Sequence, residues 1–149
     1  MNAIVILGDE HERIEMELSE LDFIIASDMI NYSNLVHTFW KICELWEAHE
    51  KLEEELFAVM KSEGFEIPIE AILLEHKDLR EHVKRIGDAI NSGSDAQVRK
   101  ALADDMRVFV DVVRKHMEDE DDILSGVLES EFSDEGRKEI SRIVLKARK

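Results

Sequence analysis

The sequence predicts an all-α protein, an up-down-up-down four-helix bundle with a short additional C-terminal helix. Three observations carry this expectation. Breaks are scarce, with 1 Pro and 6 Gly in 149 residues. Apolar residues recur at steps of four and three along four long segments, as they do when a helix buries one stripe. No segment sustains the period-two alternation of a half-buried strand.

Each element follows from its own signals. Asp9 followed by Glu12 resembles a capping box opening a first helix over roughly 9–28, with His11, Ile14, Leu18, Leu21 and Ile25 as its stripe. Asn31, Ser33 and Asn34 mark a turn and start a second helix that runs to about Ser62. Its stripe is Leu35, Phe39, Ile42, Trp46, His49, Glu53, Leu56 and Met60. Gly64 to Pro68 is a stop and restart, with Pro68 suited to the first turn of a third helix. That helix reaches Ile90 and aligns Ile69, Ile72, His76, Leu79, Val83, Ile86 and Ile90. Asn91 to Asp95 reads as a loop ending in a cap, and a fourth helix follows from about Ala96 to Leu128. It aligns Leu102, Met106, Phe109, Val113, His116, Glu120, Ile123 and Val127. Ser133 or Asp134 caps a short fifth helix, whose basic residues between Arg137 and Lys149 surround Ile140, Ile143 and Val144. It reads as an amphipathic helix packing on the bundle. The expected division is residues 1–130 for the bundle and 131–149 for this helix.

Composition narrows the function. At about 100–200 residues per domain the length fits one domain with a proper core. With 35 Asp+Glu against 19 Lys+Arg the formal charge is −16, which argues against nucleic acid and anionic membranes as partners. A hydrophobic content of 44% argues against disorder. The single Cys forbids an internal disulfide framework and points to a reducing compartment. The apolar run Ala3 to Leu7 is too short for a signal-peptide core or a membrane span, so a soluble, cytoplasmic protein is expected.

Ionisable residues interrupt all four stripes: His11, His49 with Glu53, His76, and His116 with Glu120. Buried unpaired charge costs several kcal/mol, so these residues need a common partner. They also stand level. His11 lies 19 residues before a turn near residue 30 and His49 lies 19 after it, while Glu53 and His76 lie 12 and 11 residues from Phe65. From Gly93, His76 is 17 back and His116 is 23 on. That excess of six residues, about 9 Å along straight helices, predicts a longer third loop or a later start to the fourth helix.

The chain also repeats itself. Glu10-His11 returns as Glu75-His76, and His49-x-x-x-Glu53-Glu54 returns as His116-x-x-x-Glu120-Asp121. Each half thus supplies one solitary His and one His-x-x-x-Glu pair on a single helix face. Four imidazoles and two carboxylates in near-twofold array suit two closely spaced transition metals bridged by the carboxylates, with iron, zinc or manganese favoured over calcium or magnesium.

This ordered pattern, from His11 to Leu124, resembles the hemerythrin-like (HHE cation-binding) family. The resemblance implies an up-down bundle holding two non-haem iron ions and binding dioxygen, with His11, His49, His76 and His116 as terminal ligands and Glu53 and Glu120 as bridges. Two departures stand out. Oxygen-carrying members have a further His where this chain has Arg80, and they use His-x-x-x-x-Asp in the last helix, which Asp121 would satisfy. The stripe favours Glu120, because four steps return to the same face and five do not. Fewer imidazoles imply an open or water-filled position. Metalloprotease His-Glu-x-x-His and ferritin-like Glu-x-x-His motifs are absent.

Other residues take simpler readings. Glu50, Glu54 and Asp121 flank the expected site, whereas Glu55, Asp119 and Asp122 read as solvated. His37 and His82 fall off the ligand faces, and Cys43 reads as a packing residue. Phe39, Trp40, Trp46 and Phe109 read as core, with Trp46 and Phe109 also candidates to line the approach to the metals. Arg80, one turn from His76, is positioned to pair with a flanking carboxylate or to sit at the surface. The leading expectation is a di-iron protein that binds dioxygen or a related small ligand for sensing, storage or delivery. Its rivals are a di-iron enzyme acting on peroxide, nitric oxide or an organic substrate, and a metal-free helical interaction domain.

Overall fold

A computed structural model describes residues 3–147, together with side chains apart from those of Leu102 and Ala103. Among the described residues there is no strand. The helices are α1 (Ala3–Ala26), α2 (Tyr32–Ser62), α3 (Ile69–Asn91), α4 (Asp95–Ala101), α5 (Arg107–Leu124) and α6 (Asp134–Ala147). A π-helical segment, Leu102–Met106, joins α4 to α5 without a break.

Local chemistry explains several boundaries. The Asn31 side chain accepts a hydrogen bond from the Asn34 amide at 3.1 Å and caps α2. At the other end the Gly64 amide donates to Lys61 and the Phe65 amide to Met60, a Schellman closure that requires the positive φ of 99° at Gly64. Pro68 sits one residue ahead of α3 rather than inside its first turn.

Three expectations need correction. The first helix begins at Ala3, not Asp9, because Ala3 and Leu7 extend the stripe of His11, Ile14 and Leu18 and are themselves buried. Core burial there outweighs the local capping signal, and Asp9 lies exposed inside the helix. The fourth helix ends at Leu124 rather than Leu128: the Gly126 and Val127 amides donate in a tight turn to Ile123 and Leu124, which still lets Val127 reach the core. The connection after α3 is short, and the excess residues before His116 lie in α4 and the π-helical segment instead of a long loop. The side chain of Leu102, assigned to the fourth stripe, lies outside the described residues.

Helix α1 packs on α2 and α5, and α3 packs on α2 and α5, closing a ring of four. Ion pairs reinforce two seams: Arg114 of α5 reaches Glu15 at 2.9 Å and Asp22 at 2.7 Å, and Lys41 of α2 reaches Glu17 at 2.7 Å. Helix α6 packs on α2, burying Ile140, Ile143 and Val144 as its amphipathic pattern requires.

The core has two apolar layers. One gathers Ile14, Leu18, Phe39, Trp46, Leu79, Phe109 and Val113, and the other gathers Leu7, Leu56, Phe57, Met60, Ile72 and Leu124. Along every long helix the residues between these layers are the His and Glu positions that interrupt the stripe. A polar layer is therefore clamped between two hydrophobic ones, which keeps water away and restricts its side chains. Trp40 corrects another expectation: at 38% exposure it lies at a groove rim, with its ring over Gly87, where any Cβ would come within 3.0 Å. No described helix is long and apolar enough to cross a membrane.

Candidate metal centre

All six residues of the expected ligand set converge in that polar layer, and each is almost fully buried. The four imidazoles form two pairs. Nε2 of His11 lies 3.0 Å from Nε2 of His49, and Nε2 of His76 lies 3.0 Å from Nε2 of His116. The two carboxylates run between the pairs. Glu53 places Oε2 at 2.8 Å from His49 and Oε1 at 2.9 Å from His76. Glu120 places Oε1 at 3.2 Å from His11 and Oε2 at 3.3 Å from His116. Each carboxylate thus offers one oxygen to each imidazole pair. Two overlapping donor sets result: His11, His49, Glu53 and Glu120 in one, and His76, His116, Glu53 and Glu120 in the other.

The donors fit metal better than they fit each other. Although close to imidazole nitrogens, none of the four buried carboxylate oxygens of Glu53 and Glu120 has a hydrogen-bond partner among the described residues. Such orphaned acceptors are costly in a dry core and call for a cation. Imidazole nitrogen with carboxylate oxygen is a donor set for first-row transition metals.

Electrostatics in the layer follows from these contacts. Burial pushes the Glu53 carboxyl up, but the neighbouring imidazoles of His116, His49 and His76 outweigh it and hold the group well below the usual carboxylate range. At His49 burial disfavours the cation, yet Glu10 and Glu53 prevail and raise the pKa to about 9. His11 is lowered, chiefly by burial and then by His49.

A ring of outer carboxylates addresses the imidazoles from behind. Nδ1 of His11 is hydrogen-bonded to Asp121 at 2.8 Å, Nδ1 of His49 to Glu10 at 3.0 Å, and Nδ1 of His116 to Glu75. Such bonds orient the ring and direct Nε2 inward. Asp121 therefore stands behind His11 with a largely exposed side chain, whereas Glu120 is interior. Sequence reasoning missed the roles of Glu10 and Glu75. Their signal was present in the repeated Glu-His dipeptide, but each Glu reaches a His on another helix and not its own neighbour. The twofold character extends outward in part, for Glu54 stands 3.4 Å from Nδ1 of His76 without the hydrogen bond that Asp121 makes to His11.

The flanking residues separate. Glu50 is buried and paired with Arg80, whose side chain is 58% exposed, so that this arginine both meets a flanking carboxylate and lies at the surface. Trp46 lies against His49, His76 and His116, with ring centroids 5.4, 5.9 and 5.4 Å away. Phe109 instead makes its ring contact with Phe39, in the neighbouring apolar layer. His37 is exposed, and His82 is half-exposed beside Arg85 at 2.9 Å. Cys43 is half-buried; burial, followed by Glu47, pushes its thiol up to about 12.

A helical bundle with a buried, twofold array of imidazole and carboxylate donors defines a cation-binding class of protein. Its family model confirms the class: the hemerythrin HHE cation-binding domain matches residues 2–128, and the chain belongs to that family. Comparison with curated proteins and with solved structures returns no match.

Proposed function

We propose that the protein is a non-haem di-iron protein that binds dioxygen or a related small ligand for sensing, storage or delivery. The observation that carries this reading is the way Glu53 and Glu120 each offer one oxygen to each imidazole pair. His11 and His49 would hold one ion and His76 and His116 the other, with both carboxylates shared. A bound iron pair would supply a redox-active centre with affinity for dioxygen. The chain's own residues do the rest. Asp121, Glu10 and Glu75 hold three imidazoles in orientation, and Leu56 and Trp46 keep water from the layer.

This reading takes the four long helices as up-down neighbours, supported by the level placement of His11 with His49 and of Glu53 with His76. It takes residues 1–130 as the metal-binding bundle, with α6 as an added packing helix. It places the protein in the cytoplasm, in keeping with a lone thiol, and leaves nucleic acid and membranes aside as partners, in keeping with the charge of −16.

The test is elemental analysis of the purified protein with absorption spectra before and after oxygen exposure. Two irons per chain and new visible bands on oxygenation are expected. A stoichiometry of zero after anaerobic loading with ferrous iron would refute the reading.

A further inference from the structure

The outer ring of carboxylates is incomplete at one place. His76 is fully buried, yet its Nδ1 has no hydrogen-bond partner among the described residues. Glu54 Oε1 stands 3.4 Å away and Glu50 Oε1 stands 4.0 Å away, while the Glu50 carboxylate is engaged by the Arg80 guanidinium. Glu50, Glu54 and Arg80 border a groove of about 1000 Å³ between α2 and α3, which is also lined by Trp46, whose ring centroid lies 5.9 Å from that of His76. An imidazole nitrogen and two carboxylates within coordinating reach form a third donor set for a cation, outside the inner pair. The cation in contact with that set is Arg80, whose own side chain is 58% exposed, while Lys41 and Lys51 also line the groove.

We propose that Glu50, Glu54 and Nδ1 of His76 form a receiving site through which first-row transition-metal cations enter from the α2–α3 groove, and that Arg80 is the displaceable cation guarding it. The proposal rests on the two-metal reading of the inner layer. An arriving ion meets Glu54 first, because that side chain is half-exposed, and then competes with the guanidinium for Glu50. Arg80 both repels the ion and holds the carboxylate the ion needs, so its charge slows entry. The α1–α5 groove beside His11 offers a contrast. There Nδ1 is already taken by Asp121, and the local arginine, Arg114, is engaged with Glu15 and Asp22.

Stopped-flow loading of the metal-free full chain with cobalt(II), followed by its visible bands and a final metal count, tests this. Wild type, Arg80→Gln, Arg80→Lys, Arg114→Gln and Glu54→Gln are compared at low salt, with circular dichroism to show that each is folded. All are expected to finish with two cobalt ions per chain. Arg80→Gln should load about 3- to 10-fold faster, Arg80→Lys and Arg114→Gln at the wild-type rate, and Glu54→Gln about 3- to 10-fold slower. Loading of Arg80→Gln at the wild-type rate, or equal acceleration by Arg80→Lys or Arg114→Gln, would overturn the gate while leaving the inner centre standing. Failure of the wild type to bind cobalt would overturn the two-metal reading itself.

Discussion

Replacing Glu120 by leucine separates a carboxylate kept for metal from one kept for the fold. Glu120 is 1% exposed, and both of its oxygens lack hydrogen-bond partners among the described residues. Its nearest polar neighbours, His11 and His116 at 3.2 and 3.3 Å, already have Asp121 and Glu75 behind them. Leucine is close in volume and continues the stripe between Val113 and Leu124, so the change removes a buried charge without opening a cavity. Because no hydrogen-bonded partner is stranded, the change resembles replacement of a whole buried ion pair by apolar residues, often neutral or stabilising by about 1–4 kcal/mol, and not removal of one member of a pair, which costs about 3–5 kcal/mol. At about 2–4 °C per kcal/mol for a chain of this size, metal-free Glu120→Leu should melt at the wild-type temperature or up to about 10 °C above it. Metal reverses the order. At a free metal concentration 100 times Kd, binding would stabilise the wild type by about 2.7 kcal/mol, whereas the variant would lack the oxygen donor that the proposed two-metal reading shares between both ions. Thermal melts followed at 222 nm, with and without ferrous iron under anaerobic conditions, measure both effects. A metal-free variant melting more than about 5 °C below wild type would show that Glu120 is a structural ion-pair partner. A full metal-dependent rise in the variant would show that it is not a ligand. Either result refutes the argument.

The remaining predictions address the surroundings of the centre. Asp121→Asn removes the charge behind His11 and should weaken metal binding about 10- to 100-fold, measured by competition with a chelating dye, with the metal-free melting temperature essentially unchanged. Cys43, with its thiol pushed up to about 12, should be about one part in 10⁴ thiolate at pH 8. Its alkylation by iodoacetamide should therefore rise about tenfold per pH unit from 8 to 10; a plateau below pH 10 would contradict the burial argument. Leu56→Ala empties a fully buried position in the apolar layer beside Glu53 and should cost about 2–5 kcal/mol in urea unfolding.

Much of this arrangement is legible in the chain itself. The step of four between His49 and Glu53, and between His116 and Glu120, puts each pair on one face whatever the helix packs against. Equal distance from a turn puts His11 level with His49, because both helices rise by the same amount per residue. This counting leads to a wrong connection after α3, where the extra residues lie in α4 and the π-helical segment and not in a loop. The first-helix start was misjudged for a related reason: a capping pattern at Asp9 is local, whereas burial of Ala3 and Leu7 depends on a core built by other helices.

The sequence by itself thus determined the all-helical fold, the polar layer and its six donors, since these depend on periodicity along single helices. The tertiary structure decided everything that depends on how helices are rotated against one another. It sends Glu10 to His49 and Glu75 to His116 in place of their adjacent histidines, and brings Asp121 behind His11. It draws Glu50 to Arg80 and leaves Nδ1 of His76 without a hydrogen-bond partner among the described residues. A helix specifies the direction in which a side chain leaves its axis, but the atom waiting there belongs to another helix, and packing sets which one it is.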